Sequence, residues 1–495
     1  MNSMLFSKKT YQSYYSSSTT ISAIAFVILI LFLLSNYGID NRYFFAHHVY
    51  ATNIKAEASS TGPAFSDPNL RAQLVVQGLS YPTSMAFISN NNNDKDILVL
   101  QKNNGEVRLV SNGILKDQPV LKLDVDNSTR ICCRGLLGIA TKINNNNNNN
   151  TEVFLYLSEA AKGEQPVKNR VYKYQWNGQT LLNPKLILDL PAEGLNHPGG
   201  KLAIGPDQYL YAVIGDLNRQ GKLQNFIDGP EPDDTSVILR VNPDNGYPAK
   251  NNPFLSEKNG NGSAMSRYFA YGIRNGFGLA FDPVSGTLWD AENGDKDYDE
   301  INIVNPGFNS GWKKVMGPIS RNSSITESQL FNFPGSRYAD PVFSWFESIG
   351  VTDIAFLNSS ELGDKYKNNI FVGDITKGNL YYFEVNENRT GLKFDNNDNT
   401  GSSPSSGLLD KVADNKNEVA AVTLATGFRG ITDIKTGPDG LLYILTFDEK
   451  SHGAGKIYRI SVSSSNNAGG LAAAEAASAA NGNTALLNDN SRSDK

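Results

Sequence analysis

The chain has 495 residues, with 45 Lys plus Arg against 50 Asp plus Glu and a formal net charge of −5, so no basic surplus exists to hold a phosphate backbone. At 40% hydrophobic residues it carries ample apolar material for a core, which excludes a wholly disordered chain. The two cysteines are neighbours, Cys132 and Cys133, which excludes a disulfide scaffold and a four-cysteine zinc site.

In chain order, residues 1–40 come first. Lys8 and Lys9 precede an apolar run over 21–34, shorter than the roughly 20 residues that span hydrocarbon. Flanks from 19 to 39 extend it to a span. A cleaved signal peptide and a retained signal anchor both fit, and the anchor is favoured, because the small residues at Val49-Tyr50-Ala51 lie too far past the run for a usual cleavage site. Either reading exports the remainder, so the expected place is extracytoplasmic, at the cell surface, held to the membrane by 19–39. His47 and His48 read as exposed stalk residues. Residues 41–66 read as a linker and 463–495, rich in Ser, Asn, Ala and Gly, as a disordered tail. Asn tracts at 90–93 and 144–150 read as loop insertions. Sequons at Asn127, Asn149, Asn261, Asn322, Asn358 and Asn388 fit an exported surface.

Residues 67–462 show no long helical period. Short Val/Ile/Leu/Tyr/Phe runs alternate with Gly, Pro, Asn and Asp. One pattern recurs: an apolar–Ala–apolar strand, a Pro/Asp/Gly turn, then Leu-Tyr and an apolar strand. Its copies place Met85, Ile139, Leu202, Leu279, Ile354 and Ile434 in equivalent positions, 54 to 80 residues apart. Several copies end in a further strand near a glycine, at Gly105, Lys377 and Gly455. Four strands per unit and six units predict an all-β fold, a six-bladed β-propeller of four-stranded blades behind the N-terminal anchor or signal segment. A pair of β-sandwiches would not repeat GPDG-type turns at this period.

A propeller collects functional residues at one mouth of its channel, and three segments are unusual there. In LNHPGGKLAIGPDQYLYAVIGD, His197 precedes an inner strand; it is a natural base for an alcohol proton, or a structural histidine on a loop carbonyl. In the segment from Tyr271 to Trp312, Arg274 and Asn275 sit just before a strand. Glu292, Asp295, Asp297, Asp299 and Glu300 then crowd a glycine-containing loop, reading as hard ligands for calcium or as a solvated acidic loop. In the third region, Lys377 and Arg429 are cations near strand starts, otherwise solvated. His452 reads as a surface turn residue.

Taken together, GLLGIA, NHPGGKLAIGPDQYLYAVIGD, ILRVNPDNGYPAKNNPF, GIRNGFGLAFDP, DEINIVNPGFNSGW and GPDGLLYIL resemble the soluble PQQ-dependent aldose dehydrogenases, the glucose/sorbosone dehydrogenase family of six-bladed propellers. The resemblance implies an exported oxidoreductase that oxidises an aldose or related aldehyde by hydride transfer from the anomeric carbon to PQQ. On it, His197 matches the general base and Arg274 the arginine that stabilises charge developing on the quinone oxygen. Asn275 and Lys377 match cofactor contacts. The carbonyls of Gly294 and Asp295 match those holding a Ca2+ that polarises the quinone, and Asp295 stands where the family often has proline. Partners are a small-molecule sugar and an electron acceptor that the sequence does not identify.

The chain also departs from the pattern. An Arg-x-Arg that clamps the cofactor in the family falls on Gly430 and Thr432, with Arg429 one residue early. A glutamine before GLLG falls on Cys133. Adjacent thiols in an exported protein can close a vicinal disulfide that packs against a flat cofactor, or remain two buried cysteines. Trp345 reads as an aromatic over cofactor or sugar, or as core. Two other classes of function remain open: a non-catalytic extracellular propeller binding carbohydrate or protein, and a Ca2+-dependent lactonase-like hydrolase.

Overall fold

The structure, a computed structural model, describes residues 62–463 apart from 89–95, 129–132, 144–150, 164–166, 195, 256–263, 395–406 and 449–452. The expected leader over 1–40, the linker up to residue 61, the tail beyond 463, both Asn tracts, Cys132 and His452 lie outside the described residues.

Short β-branched and aromatic runs, buried throughout in strands such as Asp96–Gln101 and Leu210–Ile214 and alternating in outer ones such as Lys168–Trp176, build the described part into an all-β propeller of six sheets. Its innermost strands are Pro82–Ile88, Leu136–Ile143, Leu202–Ile204, Gly276–Phe281, Val351–Phe356 and Gly430–Thr436. Each packs on the next, and the last packs on the first. These are the six copies of the repeat: Met85, Ile139, Leu202, Leu279, Ile354 and Ile434 are all at most 5% exposed. The core lies between neighbouring sheets. Trp289, Phe343, Trp345, Tyr381 and Phe383 fill one such interface, Tyr156, Leu188, Tyr268 and Tyr271 another. Among the described residues the one α-helix is Lys416–Val422, capped by the Asn415 side chain, which accepts from the N–H groups of Asn417 and Glu418.

Four strands per sheet is correct for the second and the last sheet only. Elsewhere the long insertions add short strands. Phe308–Asn309 and Arg337–Tyr338 run parallel outside the third sheet, Val412–Ala413 runs parallel outside the fourth, and Ala64–Phe65 pairs antiparallel outside the fifth. Insertions of this length carry backbone groups that need partners, and an open sheet edge supplies them. Ala64–Phe65 also shows that pairing begins within the stretch read as linker. Leu70–Leu79 is the outer strand of the last sheet, antiparallel to Gly455–Val462, so the two ends of the described chain close the ring together.

The residue before each repeat position forms one layer of the channel: Ser84, Gly138, Lys201, Gly278, Asp353 and Asp433. Lys201 Nζ lies 2.8 Å from Asp353 and 2.7 Å from Asp433. Lys435 reaches the same two carboxylates at 3.0 and 2.6 Å. Ser84 Oγ and Met85 N–H donate to Asp433 at 2.9 and 2.6 Å. The aspartates are fully buried, and two lysines balance their charge. Gly138 admits no side chain, because a Cβ there would stand 1.9 Å from the Gly200 carbonyl oxygen. The layer is therefore built of small residues and paired charges.

Candidate active site

Antiparallel order places the connection into each innermost strand and the loop after each second strand on the same face. That face gathers His197, Arg274 and Asn275, Arg429, Cys133 and Arg134 from the first kind of segment. Asp216, the 293–297 loop, Lys377 and Asp448 come from the second kind.

His197 takes a left-handed φ of 59°, and the chain turns into the inner strand through Gly199 at φ 67°. A Cβ on Gly199 would stand 2.4 Å from the Val213 carbonyl oxygen, so this turn needs glycine on both counts. The turn puts His197 Nδ1 2.6 Å from Asp216 Oδ1. Asp216 is 1% exposed, and its second oxygen accepts the Trp312 indole N–H at 2.7 Å. Burial alone would raise the Asp216 carboxyl. The hydrogen bond and charge of His197, the Asn218 N–H and Trp312 outweigh it and hold the group below the usual carboxylate range. An ionised Asp216 can only accept, so Nδ1 of His197 carries a proton, and Nε2 is the nitrogen that holds the lone pair in the neutral imidazole.

Arg274 is fixed at both ends. Its backbone N–H donates to Glu292 Oε1 at 2.6 Å, its carbonyl accepts from Asp216 N–H at 2.9 Å, and its guanidinium donates to the Asn293 carbonyl at 3.2 Å. The guanidinium carbon lies 5.3 Å from the centre of the Trp312 ring. Its Nε is buried and has no hydrogen-bond partner. Burial pushes the Glu292 carboxyl up to about 7, against the Arg274 N–H and the Ser310 hydroxyl that donate to it. Asn275 is 4% exposed and accepts the Gly199 N–H at 3.3 Å, which ties the His197 turn to the Arg274 segment.

The acidic loop divides in two. Glu292, Asp299 and Glu300 are buried, while Asp295 and Asp297 are exposed. Asp299 organises the loop by accepting the N–H groups of Gly294, Ile349 and Val351 at 2.9, 2.9 and 3.0 Å. The Asp295 carboxylate lies 3.3 Å from the Arg274 guanidinium. Among the described residues no hydrogen bond reaches the Gly294 or Asp295 carbonyl oxygens.

The remaining expected residues stand differently. Lys377 is exposed, and its N–H donates to Asp374 at 2.6 Å. Arg429 adopts φ 66°, its side chain is 66% exposed and it pairs with Asp448. At Gly430 a Cβ would stand 2.8 Å from Ile375 Cδ1 and 2.9 Å from its carbonyl oxygen, so the 374–379 loop fills the space a side chain there would need. Cys133 is disulfide-bonded, and the sequence holds one other cysteine, Cys132. The next residue, Arg134, binds Asp126 at 2.6 Å and donates to the carbonyls of Ala192 and Gly194, on the segment leading to His197. Trp345 is core: it is fully buried among Phe343, Tyr381 and Phe383. Asp216 and Trp312 were missed as site residues by sequence reasoning. The signal for the first lay in the IGD that ends the His197 segment, in the loop position opposite the histidine turn.

A sequence model of the Glucose / Sorbosone dehydrogenase family matches residues 79–459. The chain belongs to that family, one of PQQ-dependent sugar dehydrogenases. Aldose sugar dehydrogenase YliI of Escherichia coli is 31% identical over 54% of this chain and 60% of its own. Quinoprotein glucose dehydrogenase B of Acinetobacter calcoaceticus is 34% identical over 30% of this chain and 32% of its own. The PQQ-bound structure of an aldose sugar dehydrogenase from Streptomyces coelicolor superposes with a TM-score of 0.55 at 22% identity, covering 81% of this chain and all of that one, a likeness of fold. The residues here fit such a cofactor at its quinone end, where Arg274 holds an orphaned buried Nε among rigid neighbours. The free Gly294 and Asp295 carbonyls fit a hard cation. At the carboxylate end the fit is thinner, because Arg429 and Lys377 stand in the open and Gly430 is closed over.

Proposed function

We propose that this chain is an exported six-bladed quinoprotein that oxidises an aldose or a related aldehyde at the anomeric carbon, with PQQ and Ca2+ as cofactors. The observation that carries the reading is the His197–Asp216 pair beside Arg274, with the Trp312 indole bonded to Asp216 and set against the Arg274 guanidinium. His197 Nε2 accepts the proton of the anomeric hydroxyl, and Asp216 stabilises the imidazolium that results. PQQ, when bound, supplies the two-electron acceptor for the hydride that leaves the same carbon. Arg274 would offset the negative charge that develops on a bound quinone, while Asn275 keeps the two segments in register. Ca2+ on the carbonyls of Gly294 and Asp295 would add Lewis-acid polarisation of that oxygen. The apolar stretch 19–39 behind Lys8 and Lys9 supports a membrane anchor and an acceptor close to the membrane.

The test is a titration of the protein with PQQ in the presence of calcium, followed by dye reduction over a panel of aldoses and aldehydes. Saturable binding with sugar-dependent reduction is expected. His197→Ala should abolish turnover while leaving the fold and the calcium response intact, and unchanged turnover would remove His197 as the base. Absence of binding at micromolar PQQ would leave a propeller that binds carbohydrate without oxidising it.

A further inference from the structure

We infer that Trp312 is a positioning residue that sets the basicity of His197 and the seat of Arg274 through a single indole. The inference rests on the reading of His197 as the base. Three contacts meet on this side chain, which is 5% exposed. Its Nε1–H donates to Asp216 Oδ2 at 2.7 Å, and the other Asp216 oxygen holds His197 at 2.6 Å. Its ring lies under the Arg274 guanidinium. Its backbone is held in turn, since the carbonyl accepts from Asn225 Nδ2 at 2.8 Å and the N–H donates to the Gly272 carbonyl at 3.1 Å. The indole cannot shift without moving base and cation together.

The physical consequence has a sign. A donor on the far oxygen of Asp216 draws charge away from the oxygen that faces His197, which weakens the hold on the imidazolium. Removing that donor strengthens the hold, so the titration of His197 moves to higher pH. The charged groups on this pair from the surrounding elements are Arg274 from the adjoining connection and Glu292 from the strand beneath it. Lys313 lies 5.9 Å from the Trp312 ring centre. None of them is changed by replacing the indole with a phenyl ring.

The variant is Trp312→Phe in the full chain, which keeps an aromatic face under Arg274 and deletes the N–H. With four histidines in the sequence, His197 is resolved by NMR titration without PQQ or substrate. Its midpoint should rise by about half a pH unit or more, and Asp216→Asn should move it the opposite way. In the loaded enzyme the acid limb of kcat/KM should follow the same upward shift. A wild-type measurement guards against a variant that misfolds: the Trp312 indole N–H resonance should move with the His197 titration curve. An unshifted His197 midpoint in Trp312→Phe, or an indole resonance indifferent to that titration, overturns the inference. A protein that shows both shifts but no dehydrogenase activity keeps the inference and loses the proposed reaction.

Discussion

Gly430 and Thr432 differ in what each would accept. At Gly430 any side chain meets Ile375 at 2.8–2.9 Å, whereas Thr432 is half-buried with a weak 3.5 Å contact from its hydroxyl to the Leu445 carbonyl. Thr432→Arg should therefore tighten PQQ binding about tenfold, by one charge-assisted contact of about 1.5–3 kcal/mol partly offset by ordering the side chain. Gly430→Arg should not, unless Ile375 is also cut back to alanine. Equilibrium titration of the two variants checks this, and equal gains at both positions would mean the 374–379 loop yields freely. Single residues were legible where chemistry is scarce. One histidine inside the described repeat region and one Arg-Asn pair before a strand stood out in the sequence. Asp216 and Trp312 did not, because an aspartate after a strand and a tryptophan after a glycine are common, and only the turn at Gly199 brings them to the histidine.

At the scale of the strands, the repeat made the six inner strands legible through their apolar positions, yet it concealed the layer one residue earlier. Ser84, Lys201, Asp353 and Asp433 look unrelated in sequence and become partners only when the ring closes. Lys201 and Lys435 each contact both buried aspartates, and Lys201 is the more buried of the two, 6% against 29% exposed, so its loss is the less relieved by solvent. Lys201→Met should destabilise the fold by about 3–5 kcal/mol, the usual cost of breaking a buried ion pair from one side. Gly138→Ala should also lower stability, by about 1–3 kcal/mol or more, through the clash with the Gly200 carbonyl. Denaturant midpoints would show both, and a near-neutral Lys201→Met would mean water reaches the layer. Extra strands at the sheet edges were not legible at all, because two-residue pairings such as Ala64–Phe65 with Ala425 and Thr426 carry no periodic signal.

For the molecule as a whole, several carboxylates are held below their ordinary range by partners on neighbouring segments. In Asp126, Asp282 and Asp433 burial works the other way, and it is outweighed by Ser128 with Arg134, by Arg389, and by the pair Lys201 and Lys435 respectively. A group with a depressed folded pKa contributes stability that is present above its unfolded value of 3.8 and is lost as the pH falls below it. The share of stability these three groups contribute should thus be lost as the pH falls through about 4 and below. Arg389→Gln, which removes the two-pronged contact of 2.8 and 2.6 Å with Asp282, should make that loss shallower. Urea midpoints at pH 7, 4 and 3 measure it, and parallel curves for variant and wild type would contradict the assignment.

Closure of the last sheet by Leu70–Leu79 has a consequence for how the chain is made. Arg71 and Ser461, which bond across that seam, are 390 residues apart. During synthesis Leu70–Leu79, an early strand, therefore meets its partner last, and until then it is an unpaired, apolar edge. Five sheets can assemble in sequence while the sixth waits, so the slow step of folding belongs to this seam. A nascent chain halted before residue 455 would hold a nearly finished ring that is still open to capture by a chaperone or by another copy of itself.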